Sequence, residues 1–484
     1  MTGPTILDLP DTASTDALGA RLSSALLPGS VVLLFGDLGA GKSSLARAAI
    51  LSVLEEKQAV PSPTFTLIQE YESPQGRIVH TDLYRLSDVE ELEELGLTEA
   101  FETAAVLVEW PERLEDAAPD DRLEIYLSIN GEGRTAKLVA TGPQGEQLLE
   151  AAMRSRDDLI TEFVRAAGWA SAKIGPLAGD ASNRRYLRLD RDGEPAVLMD
   201  APVEKGEDVR PFVAITDALR RRGLSAPKIL AQDEAHGFLL LEDLGDALFA
   251  RRCVDDRGLE RPLYEAAVDL LAGLGAEPSD DVPYYDAAVL EREAALLTDW
   301  WVPAAGGDLS VDLRAEYLAL MAEATHEVEA DRSALVLRDY HAENLLWLPD
   351  REGAARVGLL DYQDALLGHP AYDLVSLLED ARRDISVGLA EAMIKRFLMA
   401  RPDLNAEAFR AGYDVLGAQR NAKIVGIFAR LCQRDGKPHY VDMIPRVWAH
   451  FMRDLSVSHL SELRVFVEKY VPEPNAETLA RAKG

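Results

Sequence analysis

The hydrophobic pattern changes character once along the chain. Up to about residue 140, short apolar runs alternate with turns and polar helical stretches, the layout of an α/β domain. Val31 to Phe35 is a five-residue apolar run that enters a glycine-rich turn, Gly36 to Gly41, and then a helix-like stretch, Ser43 to Glu56. That reads as strand, loop, helix. Further runs at Arg77 to Leu83, Ala105 to Trp110, Leu123 to Ile129 and Ala136 to Ala140 read as strands, with the acidic segment Val89 to Phe101 as a helix between two of them. From Thr141 to Ser155 the strand signal stops and a turn followed by a polar helix is expected, which places a domain boundary near residue 150. Beyond it an amphipathic helix (Leu159 to Ala167) precedes strands around Tyr186 to Leu189, Ala196 to Asp200 and Phe238 to Leu241. Helical periodicity then dominates, broken by one compact β-like region, Leu335 to Asp361. The second module therefore reads as a small β-rich lobe (about 157–241) joined to a larger helical lobe (about 247–484) within residues 151–484.

Composition sharpens this picture in two places. At 484 residues the chain exceeds one ordinary domain of roughly 100 to 200 residues, so two or three are expected. The charge is -32, and residues 1–150 hold 10 basic and 26 acidic residues against 41 and 57 in the remainder, so each part carries -16. No broad basic groove for nucleic acid exists, and anionic membranes are repelled. Two cysteines, Cys253 and Cys432, are too few for a disulfide framework and fit a reducing compartment. The N-terminus is acidic with no apolar signal core, and no apolar stretch reaches a membrane span of roughly 18 residues, so a cytoplasmic location is expected.

The first chemical site is Gly36-Asp-Leu-Gly39-Ala-Gly41-Lys42-Ser43, which matches G-x-x-x-x-G-K-[ST]. Its glycines let backbone N–H groups wrap a phosphate, Lys42 reaches the β- and γ-phosphates, and Ser43 ligates magnesium. A metal at such a loop needs a carboxylate partner, and Asp82 and Glu109 both end predicted strands, where such groups belong. ATP and Mg²⁺ are the expected cofactors.

This combination is more specific than a P-loop alone. GDLGAGKS, Ser62-Pro-Thr64-Phe65, His80-Thr-Asp-Leu-Tyr-Arg85, Glu94-Leu-Gly-Leu97 and Leu-Val-Glu-Trp110 occur in that order. Over about residues 5 to 141 they resemble the TsaE family, ATPase subunits of the bacterial machinery that makes threonylcarbamoyladenosine in tRNA. The resemblance implies that Thr64 lies in a nucleotide-sensing loop, that Asp82 and Glu109 organise metal and water, and that Trp110 flanks the nucleotide. It also implies TsaB- and TsaD-type protein partners rather than direct, tight tRNA binding; Glu90, Glu91, Glu93 and Glu94 are a candidate docking face. The family usually has Thr where this chain has Ser43, and both offer a hydroxyl.

The second site is Leu335-Val-Leu-Arg-Asp339-Tyr-His-Ala-Glu-Asn344, followed by Leu359-Leu-Asp361. An Asp and an Asn five apart with a later Asp form a phosphotransfer signature: Asp339 accepts the hydroxyl proton, while Asn344 and Asp361 hold magnesium. The whole constellation resembles the aminoglycoside/choline kinase-like phosphotransferases, whose fold is a bilobal, protein-kinase-like α+β domain. Thr298-Asp-Trp-Trp301, Gln419-Arg-Asn-Ala-Lys423 and Arg434-Asp-Gly-Lys-Pro438 resemble the branch of anomeric N-acetylmuramate and N-acetylglucosamine kinases. That resemblance implies a phosphate-covering segment from Gly179 through Arg184 and Arg185 and an adenine hinge at Glu242 to Leu244. It further makes Asp299, Trp300 and Arg420 sugar-pocket candidates.

Two departures stand out. The strand that normally carries a phosphate-binding Lys reads Val-Leu-Met199-Asp, so that role passes to Arg184, Arg185 or another cation, or is absent; and Leu337 stands where the wider family often has His. The reading is a fused ATPase and amino-sugar kinase. Its competitors are a catalytically silent C-terminal tether, supported by Met199, and a kinase for choline or an aminoglycoside.

Overall fold

The computed structural model describes residues 4–54, 58–64, 66–86, 95–131, 133–177, 183–277 and 282–484. Gly179, Phe65 and the four glutamates Glu90, Glu91, Glu93 and Glu94 lie outside the described residues. The chain forms two compact units, Met1–Val209 with Ile229–Glu242, and Arg210–Lys228 with Asp243–Gly484.

The first unit carries two sheets. In the larger, β1 (Thr5–Leu9), β2 (Val31–Phe35), β3 (Ile68–Ser73), β4 (Gly76–Asp82), β5 (Ala105–Glu109), β6 (Arg122–Asn130) and β7 (Gly133–Thr141) lie in the order β1-β7-β6-β2-β5-β4-β3. β2 is parallel to β5 and β6, and β4 is parallel to β5; the outer strands β1, β7 and β3 pair antiparallel. Central parallel strands are covered on both faces, and the apolar run of β2 shows why. Val32 and Leu34 enter one core with Leu18 of α1 (Thr12–Leu22) and Leu45 of α2 (Lys42–Leu51), while Val31 and Leu33 enter another with Leu83, Leu97 and Leu114.

The second sheet, all antiparallel, runs β11-β12-β10-β9-β8, from β8 (Lys173–Pro176), β9 (Arg185–Arg191), β10 (Glu194–Asp200), β11 (Ile229–Asp233) and β12 (Phe238–Glu242). The amphipathic helix Arg156–Ala166 packs Leu159, Ile160, Phe163 and Val164 on the face that carries Leu189, Leu198 and Leu240.

The second unit is mainly helical. Its longest helix, Ala406–Gln433, buries residues on all sides, including Gln419, Arg420 and Asn421. The compact β-like region resolves into two short ladders, β13 (Ala334–Val336) with β16 (Leu366–Gly368) and β14 (Leu345–Trp347) with β15 (Val357–Leu359). Cys253 and Cys432 are buried free thiols. Among the described residues no helix is long and apolar enough to cross a membrane.

Candidate active sites

The first site forms where three neighbouring parallel strands end. β2 runs into Gly36, whose φ of +138° suits glycine and whose added Cβ would fall 2.3 Å from the Leu127 carbonyl oxygen. Gly39 and Gly41 also have positive φ, and Gly41 caps α2. The turn thus aims backbone N–H groups and a helix N-terminus at one point, an anion cradle. Lys42 Nζ donates to the carbonyls of Gly36 (2.6 Å) and Asp37 (3.0 Å) and lies 3.8 Å from the Trp110 ring centroid. Burial lowers its pKa, against the pull of Glu109, Glu112, Asp82 and Asp37.

Register brings the carboxylates together. Glu109 on β5 pairs with Leu34 of β2 on one side and with Asp82 of β4 on the other. Ser43 Oγ donates to Glu109 Oε2 at 2.7 Å, and Glu109 Oε1 lies 2.9 Å from His80 Nε2, with both His80 and Glu109 buried. Thr64 Oγ1 donates to Asp82 Oδ2 at 2.8 Å and the Tyr84 amide to Asp82 Oδ1 at 3.0 Å. Trp110 adopts a left-handed backbone (φ 59°), uncommon for a bulky residue, and its ring lies 5.0 Å from that of Tyr84. Gly39, Gly41, Lys42, Ser43, Thr64, Asp82, Glu109 and Trp110 line one cavity of ≈ 310 Å³, large enough for a nucleotide. Cradle, cation, hydroxyl and two carboxylates fit Mg²⁺ and a nucleoside triphosphate.

In the second unit, the segment between β13 and β14 carries Asp339 and Asn344, and Asp361 follows β15. Asn344 Nδ2 donates to the Asp339 carbonyl at 3.0 Å and lies 3.4 Å from Asp361 Oδ2, which leaves Asn344 Oδ1 as the atom that could ligate a metal. Arg338 (φ 69°) and Asp361 (φ 55°) are both left-handed, strain that the surroundings must hold. Asp373 holds the first: its carboxylate accepts the amides of Leu337 (2.6 Å) and Arg338 (2.8 Å), and Ser376 Oγ donates to the Arg338 carbonyl at 3.1 Å. Burial pushes the Asp373 carboxyl up to about 7. The Arg338 guanidinium pairs with Glu293, which Lys423 also engages at 2.7 Å. Those two cations outweigh burial and hold Glu293 at about 2.

The remaining sugar and nucleotide candidates separate. Arg420 is buried and shares a cavity with Asp339. Asp299 is exposed in a bidentate pair with Arg314 (2.7 and 3.0 Å), Trp300 is half-buried beside it, and neither lines that cavity. Both stand on a five-residue π-helical turn, Leu297–Trp301, whose other tryptophan, Trp301, is core. Glu242 ends β12 and Leu244 is buried. Met199 is buried in β10 opposite Tyr186; Arg184 pairs with Glu207 (2.8 Å), and Arg185 with Asp200 (3.0 Å) and Asp157 (2.9 Å).

Residues 9–136 match the family model for threonylcarbamoyl adenosine biosynthesis protein TsaE, and residues 173–412 match that of the phosphotransferase enzyme family. The N-acetylmuramate/N-acetylglucosamine kinase of Caulobacter vibrioides is 42% identical, over 66% of this chain and 97% of that protein. The protein of the same name in Pseudomonas aeruginosa is 36% identical, over 61% and 88%. The tRNA threonylcarbamoyladenosine biosynthesis protein TsaE of Rickettsia felis is 34% identical, over 38% of this chain and the whole of that protein. The chain belongs to both families.

Sequence reasoning missed several residues of each site. In the TsaE region, Arg134 of β7 donates to the carbonyls of Ala40 (3.1 Å) and Gly39 (3.4 Å), and Thr12 and Thr15 of α1 line the same cavity. No motif marks them, because strand order and helix placement bring them to the loop. His80 is visible in HTDLYR, yet only register shows it backing Glu109. In the kinase region, His341, Asp380 and Arg382 line the cavity beside Asp339. His341 lies two residues past Asp339, a spacing that offered a signal, whereas Asp380 and Arg382 sit in an ordinary charged run.

Proposed function

We propose that the chain is a bifunctional enzyme, an ATPase that supports threonylcarbamoyladenosine modification of tRNA and a kinase that phosphorylates the anomeric hydroxyl of N-acetylmuramate or N-acetylglucosamine. Residues 1–150 and 151–484 are the two modules. The observation that carries the kinase half is the meeting of the Asp339 carbonyl and the Asp361 carboxylate at the Asn344 side chain, in a chain 42% identical to a kinase of that name.

The mechanism follows from the geometry. A sugar hydroxyl is a weak nucleophile at neutral pH, so Asp339 orients it and takes its proton as phosphoryl transfer proceeds. Asn344 Oδ1 and Asp361 would hold Mg²⁺, which neutralises the triphosphate charge when bound. The phosphate-binding role of the lysine replaced by Met199 passes to Arg184, Arg185 or another cation, or is absent. In the TsaE module Lys42 leaves its carbonyl partners for the β- and γ-phosphates. Ser43, Asp82 and Glu109 would hold the metal and position the attacking water, with His80 fixing Glu109. Hydrolysis there answers to protein partners of the modification machinery, in the cytoplasm, and a chain of charge -32 offers tRNA no broad basic surface.

The buried Met199 favours one rival, a silent kinase-like tether. A screen of the full chain with γ-labelled ATP against amino sugars, choline and aminoglycosides separates the readings. Label transfer to N-acetylmuramate or N-acetylglucosamine is expected; transfer to no hydroxyl compound establishes the tether, and transfer to choline or an aminoglycoside alone overturns the sugar assignment.

A further inference from the structure

The cavity beside Asp339, ≈ 100 Å³, is lined by charges that a neutral sugar ring does not require. Arg382, Arg420 and Lys423 line it together with Asp339 and Asp380. Lys423 pairs with Glu293 at 2.7 Å, a carboxylate it shares with Arg338. Among the described residues, neither Arg382 nor Arg420 has an ion-pair partner. Arg420 is 5% exposed, its Nη2 donates to Ser376 Oγ at 2.7 Å, and its Nη1 makes no hydrogen bond. A buried guanidinium nitrogen left unsatisfied is costly, and in a protein so rich in carboxylates its isolation calls for a ligand.

Arg382 is oriented toward the same space. Its amide donates to Asp380 Oδ1 at 2.9 Å, and its Nη1 lies 3.2 Å from His341 Nε2. A guanidinium only donates, so His341 Nε2 accepts and the ring proton sits on Nδ1, which has no partner. Burial, reinforced by Arg382, lowers His341 to about 4, so the ring is neutral at neutral pH and adds no cation of its own. The cavity therefore offers two guanidinium groups without an ion-pair partner beside the Asp339 and Asp380 carboxylates, and Asp380 Oδ2 itself makes no hydrogen bond. A neutral hydroxyl would leave Arg420 Nη1 without a charge-assisted partner. A carboxylate satisfies both arginines through charge-assisted bonds.

We infer that Arg382 and Arg420 bind the carboxylate of an acidic amino sugar, the lactyl group of N-acetylmuramate, and so set the preference of this site for it over N-acetylglucosamine. The inference rests on the reading of this module as an amino-sugar kinase. The lactyl ether is on C3, two carbons from the anomeric carbon, so the acid group and the reacting hydroxyl reach one cavity together. N-acetylglucosamine has the same hydroxyls and no acid group, and uses Asp339 without the arginines.

The test is steady-state kinetics of the full chain on both sugars. Arg382 is exposed, so Arg382→Gln leaves packing intact. It is expected to lower the ratio of kcat/KM for N-acetylmuramate to that for N-acetylglucosamine by about 10- to 100-fold, mainly through KM of the acidic sugar, the scale of one lost charge-assisted bond. Arg420→Gln should do the same, and Arg420→Lys, which keeps the charge, should restore part of the ratio. An unchanged ratio, or equal losses on both sugars, makes the arginines structural or water-bound and overturns the inference while the kinase reading stands. If the unmutated chain phosphorylates neither sugar, the kinase reading fails and the inference fails with it.

Discussion

Asp339 and Asp361 lie 22 residues apart in the sequence, and the separate duties proposed for them at one phosphoryl group predict separate losses. Asp361→Asn removes a metal ligand but keeps the side-chain volume. It should raise the Mg²⁺ concentration needed for half-maximal kinase rate by about tenfold or more, the usual scale for weakening a metal site. Asp339→Asn should leave that concentration unchanged, because the proton acceptor is not a ligand. A Mg²⁺ titration of both variants checks this, and matching shifts would mean that the roles are not divided. Sequence gave clear sight of such residues where a motif fixes spacing within one loop, as for Lys42 and Ser43 or Asp339 and Asn344. It was blind to partners supplied across strands or helices: His80 behind Glu109, Arg134 at the P-loop, Asp373 under Arg338. Asp299, in a resembling segment, is engaged by Arg314 on the surface and lies apart from the cavity beside Asp339.

At the scale of elements, the central strands were legible and the edges were not. β2 occupies Val31–Phe35 as the apolar run indicates, because a strand buried on both faces must be apolar throughout. β1 (TILDL) and β3 (IQEYES) mix polar residues into the pattern, as outer strands with one pairing partner do, and so are not among the runs that read as strands. Close helix packing was also hidden. Gly426 lies within the long helix Ala406–Gln433, and a Cβ there would fall 2.2 Å from the Leu296 carbonyl carbon. Helix propensity favours alanine by about 1 kcal/mol. Overpacking costs about 1–3 kcal/mol, and here the obstacle is backbone and cannot swing aside. Gly426→Ala should therefore lower the unfolding midpoint of the kinase unit in urea, followed by tryptophan fluorescence; a raised midpoint would show that the helices separate easily.

At the scale of the molecule, both fold classes were readable because each rests on a periodicity and a motif that agree. The order β1-β7-β6-β2-β5-β4-β3 was not, since nothing in a single strand's pattern names its neighbours. The central claim is that one chain carries two nucleotide chemistries built from different residues. It is tested most directly by the transfer of labelled γ-phosphoryl from ATP to N-acetylmuramate in the full chain bearing either Lys42→Ala or Asp339→Asn. The account predicts transfer at the parental rate in Lys42→Ala and a loss of about 10²- to 10⁴-fold in Asp339→Asn. Loss of transfer in Lys42→Ala, or near-parental transfer in Asp339→Asn, would contradict it.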